Sequence, residues 1–317
     1  MSIIEKAAKK LGTPASPAPA QSAAEPHVMP EGASIIEAAL AHRDTSPQLQ
    51  EPMPDTVADL ADNVESQVNT VVTNVVQNVD LARLRKMGAI TPDTEKSQVA
   101  EEFRIIKRPL IANAFGQGAT KVKNGNLIMI TSSLPGEGKS FCAINLAISM
   151  AMEMDRTVLL VDADVARPRI PEYLGLHADL GFLDVVQDKK LSLPDVLIRT
   201  NIAKLTILPA GRTYKRATEL LASGAMTRLV EDIGSRYHDR IIIFDSPPLL
   251  ATSEASVLAT HMGQIVMVVE AEKTSQEAVT EALNHIQSCE VVGMLLNKTT
   301  PTPGADYYYG YYGSYGK

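Results

Sequence analysis

A doubly wound, mainly parallel α/β sheet of the P-loop type, helices on both faces, is the fold this sequence predicts, and three observations predict it. Short apolar runs at 127–131, 157–161, 205–208, 240–244, 264–269 and 291–296 alternate with longer amphipathic stretches at 139–152, 218–236, 252–261 and 274–288. Runs too short for helices read as strands buried on both faces, and the amphipathic stretches as their crossovers. The second observation is the glycine-bearing segment Ser132-Ser133-Leu134-Pro135-Gly136-Glu137-Gly138-Lys139-Ser140, set between a strand-like run and a helix-like one. The third is that two other runs end in aspartate, as Asp162-Ala163-Asp164 and as Asp245-Ser246-Pro247-Pro248. Ligands of such sheets sit beyond the strands' carboxyl ends, where all three motifs converge.

In chain order, residues 1–93 read as a flexible region, because 12–54 are rich in Ala, Pro, Ser and Gln. Two short pieces interrupt it, Ser2-Ile3-Ile4-Glu5 and Ser34-Ile35-Ile36-Glu37, each with the Ser and Glu of a helix capping box. They look like a duplicated amphipathic docking helix. Val64, Val68, Val71, Val72, Val75, Val76 and Val79 fall on one face of a further expected helix, which packs on the body or on itself.

The domain at 94–299 carries the chemistry. Glycines let the loop curl so that the N–H groups of Gly136, Glu137, Gly138, Lys139, Ser140 and Phe141, beyond Pro135, turn toward phosphate oxygens. Lys139 reaches the outer phosphates, Ser140 meets Mg²⁺, and the helix N-terminus adds partial positive charge. ATP or GTP is the expected ligand. Each aspartate alone has a plainer use, as a helix cap or turn residue. Together beside a phosphate loop they supply what phosphoryl transfer needs: Asp164 and Asp245 with Ser140 for the metal, Asp162 and Asp164 as proton acceptors. Arg167 reads equally as a stabiliser of the transferred group or as a surface ion pair.

The segment 300–317 holds Tyr307, Tyr308, Tyr309, Tyr311, Tyr312 and Tyr315, six of the chain's nine tyrosines. Interleaved glycines disfavour a packed core or a stable helix there, so the phenols are expected to be accessible. A sticky, partner-binding tail is one reading; phosphate acceptors are the other.

From 94 to 317 these motifs resemble the bacterial tyrosine kinases of exopolysaccharide synthesis, most of all the type tied to exosortase-linked loci, whose N-terminus opens with a helix like that at Ser2 to Ala7. The resemblance implies autophosphorylation of the tail tyrosines from ATP and Mg²⁺, in trans within a ring. It implies a ring contact through Glu101, Arg104 and Lys107 on a helix, and Asn297 near the adenine, although a polar residue ending a strand explains Asn297 as well. It also implies a transmembrane chain-length or co-polymerase protein as activator, an opposing tyrosine phosphatase, and a cytoplasmic position peripheral to the inner membrane. Departures are Ala166 and Lys107 where the family has Arg; lysine lacks the planar fork for bidentate contacts. Leu134 stands where the related partition ATPases carry a signature lysine. The competing reading is a non-kinase ATPase switch that docks to a membrane partner.

Composition sets the outer limits. At 317 residues and 45% hydrophobic content the chain can fill one large α/β domain plus an appendage. A formal charge of −7 gives no global attraction to nucleic acid, which is not an expected partner. Cys142 and Cys289 lack metal-ligand spacing.

Overall fold

The computed structural model describes residues 76–94, 96–116, 122–236 and 239–300. Seven strands among them form one sheet: β1 (Leu127–Ser132), β2 (Thr157–Asp162), β3 (Ile198–Arg199), β4 (Leu205–Leu208), β5 (Arg240–Asp245), β6 (Gln264–Glu270) and β7 (Val292–Asn297), ordered β3-β4-β2-β5-β1-β6-β7. All pairs are parallel except β3 with β4, so the sheet is mixed at one edge. The six expected strands lie within a residue of their places. The two-residue β3 carries no run long enough to register as a period.

Helices cover both faces: α1 (Leu81–Lys86), α2 (Gln98–Phe115), α3 (Lys139–Ala151), α4 (Ile170–Leu174), α5 (Phe182–Gln187), α6 (Leu193–Val196), α7 (Ala217–Leu221), α8 (Gly224–Ser235), α9 (Glu254–Ala259) and α10 (Gln276–Asn284). One core layer joins Leu84, Phe103, Leu110 and Ile148 to the strand residues Ile128, Ile130, Val158 and Ile243. The opposite layer joins Phe182, Met226, Val230 and Leu258 to Met129, Leu159, Ile242 and Met267. Alternate residues of β1 and β5 thus serve opposite layers, which is why these strands are apolar throughout.

Two expectations change. The helix expected over 218–236 is two helices, because the Ser223 side chain accepts from the Met226 N–H and starts α8 afresh. Val76 and Val79 do not sit on a helix. Their segment is extended, with Gln77 bridged to Thr200 and the Val79 N–H bonded to the Asn201 side chain. Val64, Val68, Val71, Val72 and Val75, like the repeated Ser-Ile-Ile-Glu pieces, lie outside the described residues.

Packing also begins ahead of Thr94. Val79, Leu84 and Ile90 are buried, and the Asn145 side chain of α3 accepts the Ile90 N–H at 2.6 Å. At the other end of the layer, buried Gln264 donates to the carbonyls of Leu110 and Gly125 and accepts from the Asn113 side chain, which fastens α2 to the start of β6.

Candidate active site

β1, β2 and β5 are neighbours, and register sets Asp162 beside Asp245 and Ile130 beside Asp245, so the loop after β1 starts where both acidic ends finish. Gly136 and Gly138 adopt φ of 90° and 97°, the left-handed region that glycine enters without strain. Among the described residues no acceptor meets the backbone N–H groups of residues 136–141. They form a nest at the N-terminus of α3, the arrangement that binds phosphate.

Lys139 Nζ lies 2.7 Å from Asp164 Oδ2, and the other Asp164 oxygen accepts the Arg167 N–H at 3.1 Å. Burial lowers the Lys139 pKa, but the charges of Asp245 and Asp164 outweigh it and hold the ammonium above its ordinary value. Asp245 is fully buried, and neither carboxylate oxygen has a hydrogen-bond donor. Burial pushes it up to about 6, against the pull of Lys139; the nearby Ser140 hydroxyl adds to that pull without reaching hydrogen-bonding geometry. Asp162, also fully buried, accepts the Ile170 N–H at 2.9 Å through one oxygen and leaves the other unpartnered. Burial, then the Asp245 charge, pushes it up to about 8.

Oxygen donors without hydrogen bonds suit a hard cation, and Mg²⁺ bound with phosphates needs only one or two protein carboxylates. Asp245 and Ser140 fit that role. Asp164, also expected at the metal, holds Lys139 through Oδ2. Arg167 is exposed, and its side chain makes no ion pair among the described residues. Pro135 and Gly136 lie at the surface, and Phe141 is half-buried.

The loop is strapped from the far side by residues to which sequence reasoning gave another role or none. Glu137, expected to offer only its N–H, is buried; its carboxylate accepts the Leu134 N–H at 2.7 Å and the Thr274 hydroxyl. Lys298 donates to the Gly136 carbonyl at 2.8 Å and pairs with Glu270. Asn297 donates its side-chain N–H to the Glu137 carbonyl at 2.8 Å, so its amide nitrogen serves the loop. A buried acid inside a phosphate-binding loop is the signal that could have pointed to this strap.

Lys107 corrects an expectation. Glu101 and Arg104 pair with each other on the half-exposed side of α2, but Lys107 is buried, donating to the Ser149 carbonyl at 2.7 Å and pairing with Glu153 at 2.6 Å. At 3.6 residues per turn each step of three turns roughly 60° around the helix, and Lys107, at the end of that arc, faces the neighbouring helix α3 while Glu101 and Arg104 face outward. The tail tyrosines from Tyr307 to Tyr315 lie outside the described residues. Among those described, no helix is long and apolar enough to cross a membrane.

Comparison with known proteins agrees with this geometry. The ParA family, described as NUBPL iron-transfer P-loop NTPase, matches residues 122–301, more than half the chain. Tyrosine-protein kinase YwqD of Bacillus subtilis (strain 168) is 31% identical over 221 residues, covering 69% of this chain and 88% of YwqD. Longer relatives match only in part. The chain spans 26% of the putative tyrosine-protein kinase EpsB of Ralstonia nicotianae, 31% identical over 63% of this chain, and 30% of the succinoglycan biosynthesis transport protein ExoP of Rhizobium meliloti, 30% identical over 74% of it. The crystal structure of the chimerical protein CapA2B2 aligns with a TM-score of 0.59 at 25% identity, over 72% of this chain and 95% of the chimera.

Proposed function

Since the chain belongs to the ParA-type P-loop NTPases and to the bacterial tyrosine-protein kinases, we propose that it transfers the γ-phosphoryl group of ATP to the tyrosines of its own C-terminal cluster, with Mg²⁺ at Asp245 and Ser140. The observation that carries this reading is the Lys139–Asp164 pair, an ammonium beside the loop's N–H nest and shared with two further buried carboxylates. When bound, Mg²⁺ supplies charge neutralisation on the phosphate oxygens. The chain's residues do the rest. The N–H groups of Gly136 to Phe141 hold the β- and γ-phosphates, and Lys139 balances charge on the group in flight. Phosphate competes with Asp164 for the Lys139 ammonium, and the carboxylate so released accepts the phenol proton, which a group of pKa near ~10 does not lose unaided at neutral pH. The phenol oxygen bonds to the γ-phosphorus as the bond to the β–γ bridging oxygen breaks, and ADP leaves. Asp162 holds the turn after β2 through Ile170, keeping Asp164 in place; exposed Arg167 stabilises the transferred group.

The family resemblance supports transfer in trans within a ring, Glu101 and Arg104 contributing to its contacts. It also supports a transmembrane polysaccharide co-polymerase as activator, an opposing phosphatase, a cytoplasmic position at the inner membrane, and a role in exopolysaccharide synthesis or export. Iron transfer finds no support in the residues. The two cysteines, Cys142 and Cys289, are buried in opposite core layers, and burial followed by the Asp245 charge pushes the Cys142 thiol up to about 12.

Mixing two full-length chains tests the proposal. One carries Lys139→Ala with an intact tail, the other an intact loop with all six tail tyrosines changed to Phe. Phosphotyrosine on the Lys139→Ala chain, at a rate rising with the second chain's concentration, is expected. Phosphotyrosine only in unmixed wild type shows transfer in cis, and ATP hydrolysis without phosphotyrosine in any sample establishes the ATPase switch.

A further inference from the structure

An apolar groove of about 740 Å³ runs between α2 and β7 and reaches the phosphate loop at Phe141, Asn297 and Lys298. Phe103, Ile106 and Leu110 form one wall, and Leu295 and Phe141 meet them. At its rim Ile105, Met294 and Leu296 are 55%, 58% and 62% exposed. β7 pairs with β6 alone, so the groove also opens on an unpaired sheet edge among the described residues. An exposed apolar edge strand invites pairing with whatever chain is near, and folded proteins cover such surfaces.

We infer that this groove seats the chain's own unphosphorylated tyrosine tail. Thr299 lines the groove just past β7, and the sequence continues from there through residues 301–317. Pro301, Pro303 and Gly304 are turn formers that let it reverse. Tyr307 stands seven residues past Thr300, a reach of up to ~23 Å, enough to return along a six-residue strand of ~20 Å. Tyrosine suits the surface, its ring lying on Met and Ile and its hydroxyl staying in water. Asp306 and Lys317 are the only charged residues from 301 onward, so the unmodified tail brings little charge to an apolar wall. Each phosphate adds about −1.5 to −2 charges. The groove offers those charges Glu102 and a single lysine, Lys298, already engaged by Gly136 and Glu270. Phosphorylation therefore expels the tail. That release step rests on the phosphotransfer proposed above; the seating does not.

The test places p-benzoylphenylalanine at position 309 of the full chain and irradiates an equal mixture of nitrogen-15-labelled and unlabelled protein without nucleotide. Cross-links from position 309 to Met294, Ile105 or their neighbours, within chains of one isotope, are expected. They should fall at least fivefold in Met294→Glu and in Ile105→Glu, two separate rim changes that leave the core layers intact. Cross-links between isotopes would assign the groove to a second copy, and links elsewhere, to the N-terminal repeats, or none at all would equally overturn the seating. After treatment with MgATP, unchanged cross-linking of chains shown to carry phosphotyrosine overturns the release step. Chains that never acquire phosphotyrosine count against the kinase reading and leave the cross-links of the seated tail standing.

Discussion

The Asn297 side-chain amide nitrogen donates to the Glu137 carbonyl oxygen at 2.8 Å and lies 2.1 Å from where a Cβ on Gly138 would stand. The strap and the glycine therefore exclude a side chain at 138 twice over, once by φ and once by contact. Gly136 has a similar φ but open space around it. Gly138→Ala is expected to weaken ATP binding at least tenfold, whereas Gly136→Ala carries only the left-handed strain of about 1–2 kcal/mol. Calorimetric titration of both variants checks this, and equal losses would contradict the strap.

Lys107 makes a different prediction from its place in the Glu101–Arg104–Lys107 series. Lys107→Ala leaves the Ser149 carbonyl without its donor beside a cavity of about 180 Å³. A stability loss of about 1–3 kcal/mol is expected. Because Glu153 is partly exposed, water can take over its half of the pair. Denaturant unfolding reads the loss. Sedimentation should respond instead to Glu101 and Arg104, and a Lys107→Ala chain of wild-type stability would contradict the buried placement.

Gln264 joins three partners, the carbonyls of Leu110 and Gly125 and the Asn113 amide, inside the core. Gln264→Leu removes all three bonds with little change in volume. A loss of about 2–3 kcal/mol is expected, read by chemical denaturation, with ATP affinity nearly unchanged because β6 begins at the far end of the sheet from the loop. A loss below about 0.5 kcal/mol would show that water replaces the amide.

The acidic cluster predicts a pH dependence for the magnesium-free chain. Burial pushes Asp162 up to about 8 and Asp245 up to about 6 in the folded protein, against an ordinary value of 3.8. The fold therefore retains protons that the unfolded chain releases. Their stabilising contribution is complete below an ordinary aspartate's pKa and is lost as pH rises, through about 6 for Asp245 and about 8 for Asp162. Lys139, raised above 10.5, contributes nothing to the change in that window. His261, lowered by burial, runs in the opposite sense. The thermal midpoint of Asp162→Asn should consequently fall less between about pH 5 and 8 than that of wild type; parallel curves would contradict this account of the cluster.

Much of this arrangement could be read directly from the residues. The strands are apolar on both faces, so their runs are unmistakable, and the aspartates that end β2 and β5 mark the rim because parallel register brings them level with the loop. Helix ends were less legible. Ser223 is an ordinary polar residue in a continuous amphipathic pattern until its cap on Met226 divides the helix. The strap was hidden for another reason: Thr274, Asn297 and Lys298 are far from the phosphate loop in sequence and meet it only once β6 and β7 line up beyond β1. Val76 and Val79 follow a helical period that the bridge of Gln77 to Thr200 overrides, and Lys107 reads as a surface charge because its partners, Ser149 on α3 and Glu153 just beyond its end, are far off in sequence.

The most direct measurement is the mass of the tryptic peptide from Thr299 to Lys317 after the full chain is incubated with ATP and Mg²⁺. Phosphate on its tyrosines in wild type, and none in Lys139→Ala or Asp164→Asn, is the predicted result. Consumption of ATP with that peptide unmodified, in the presence of candidate membrane activators as well as without them, would contradict it.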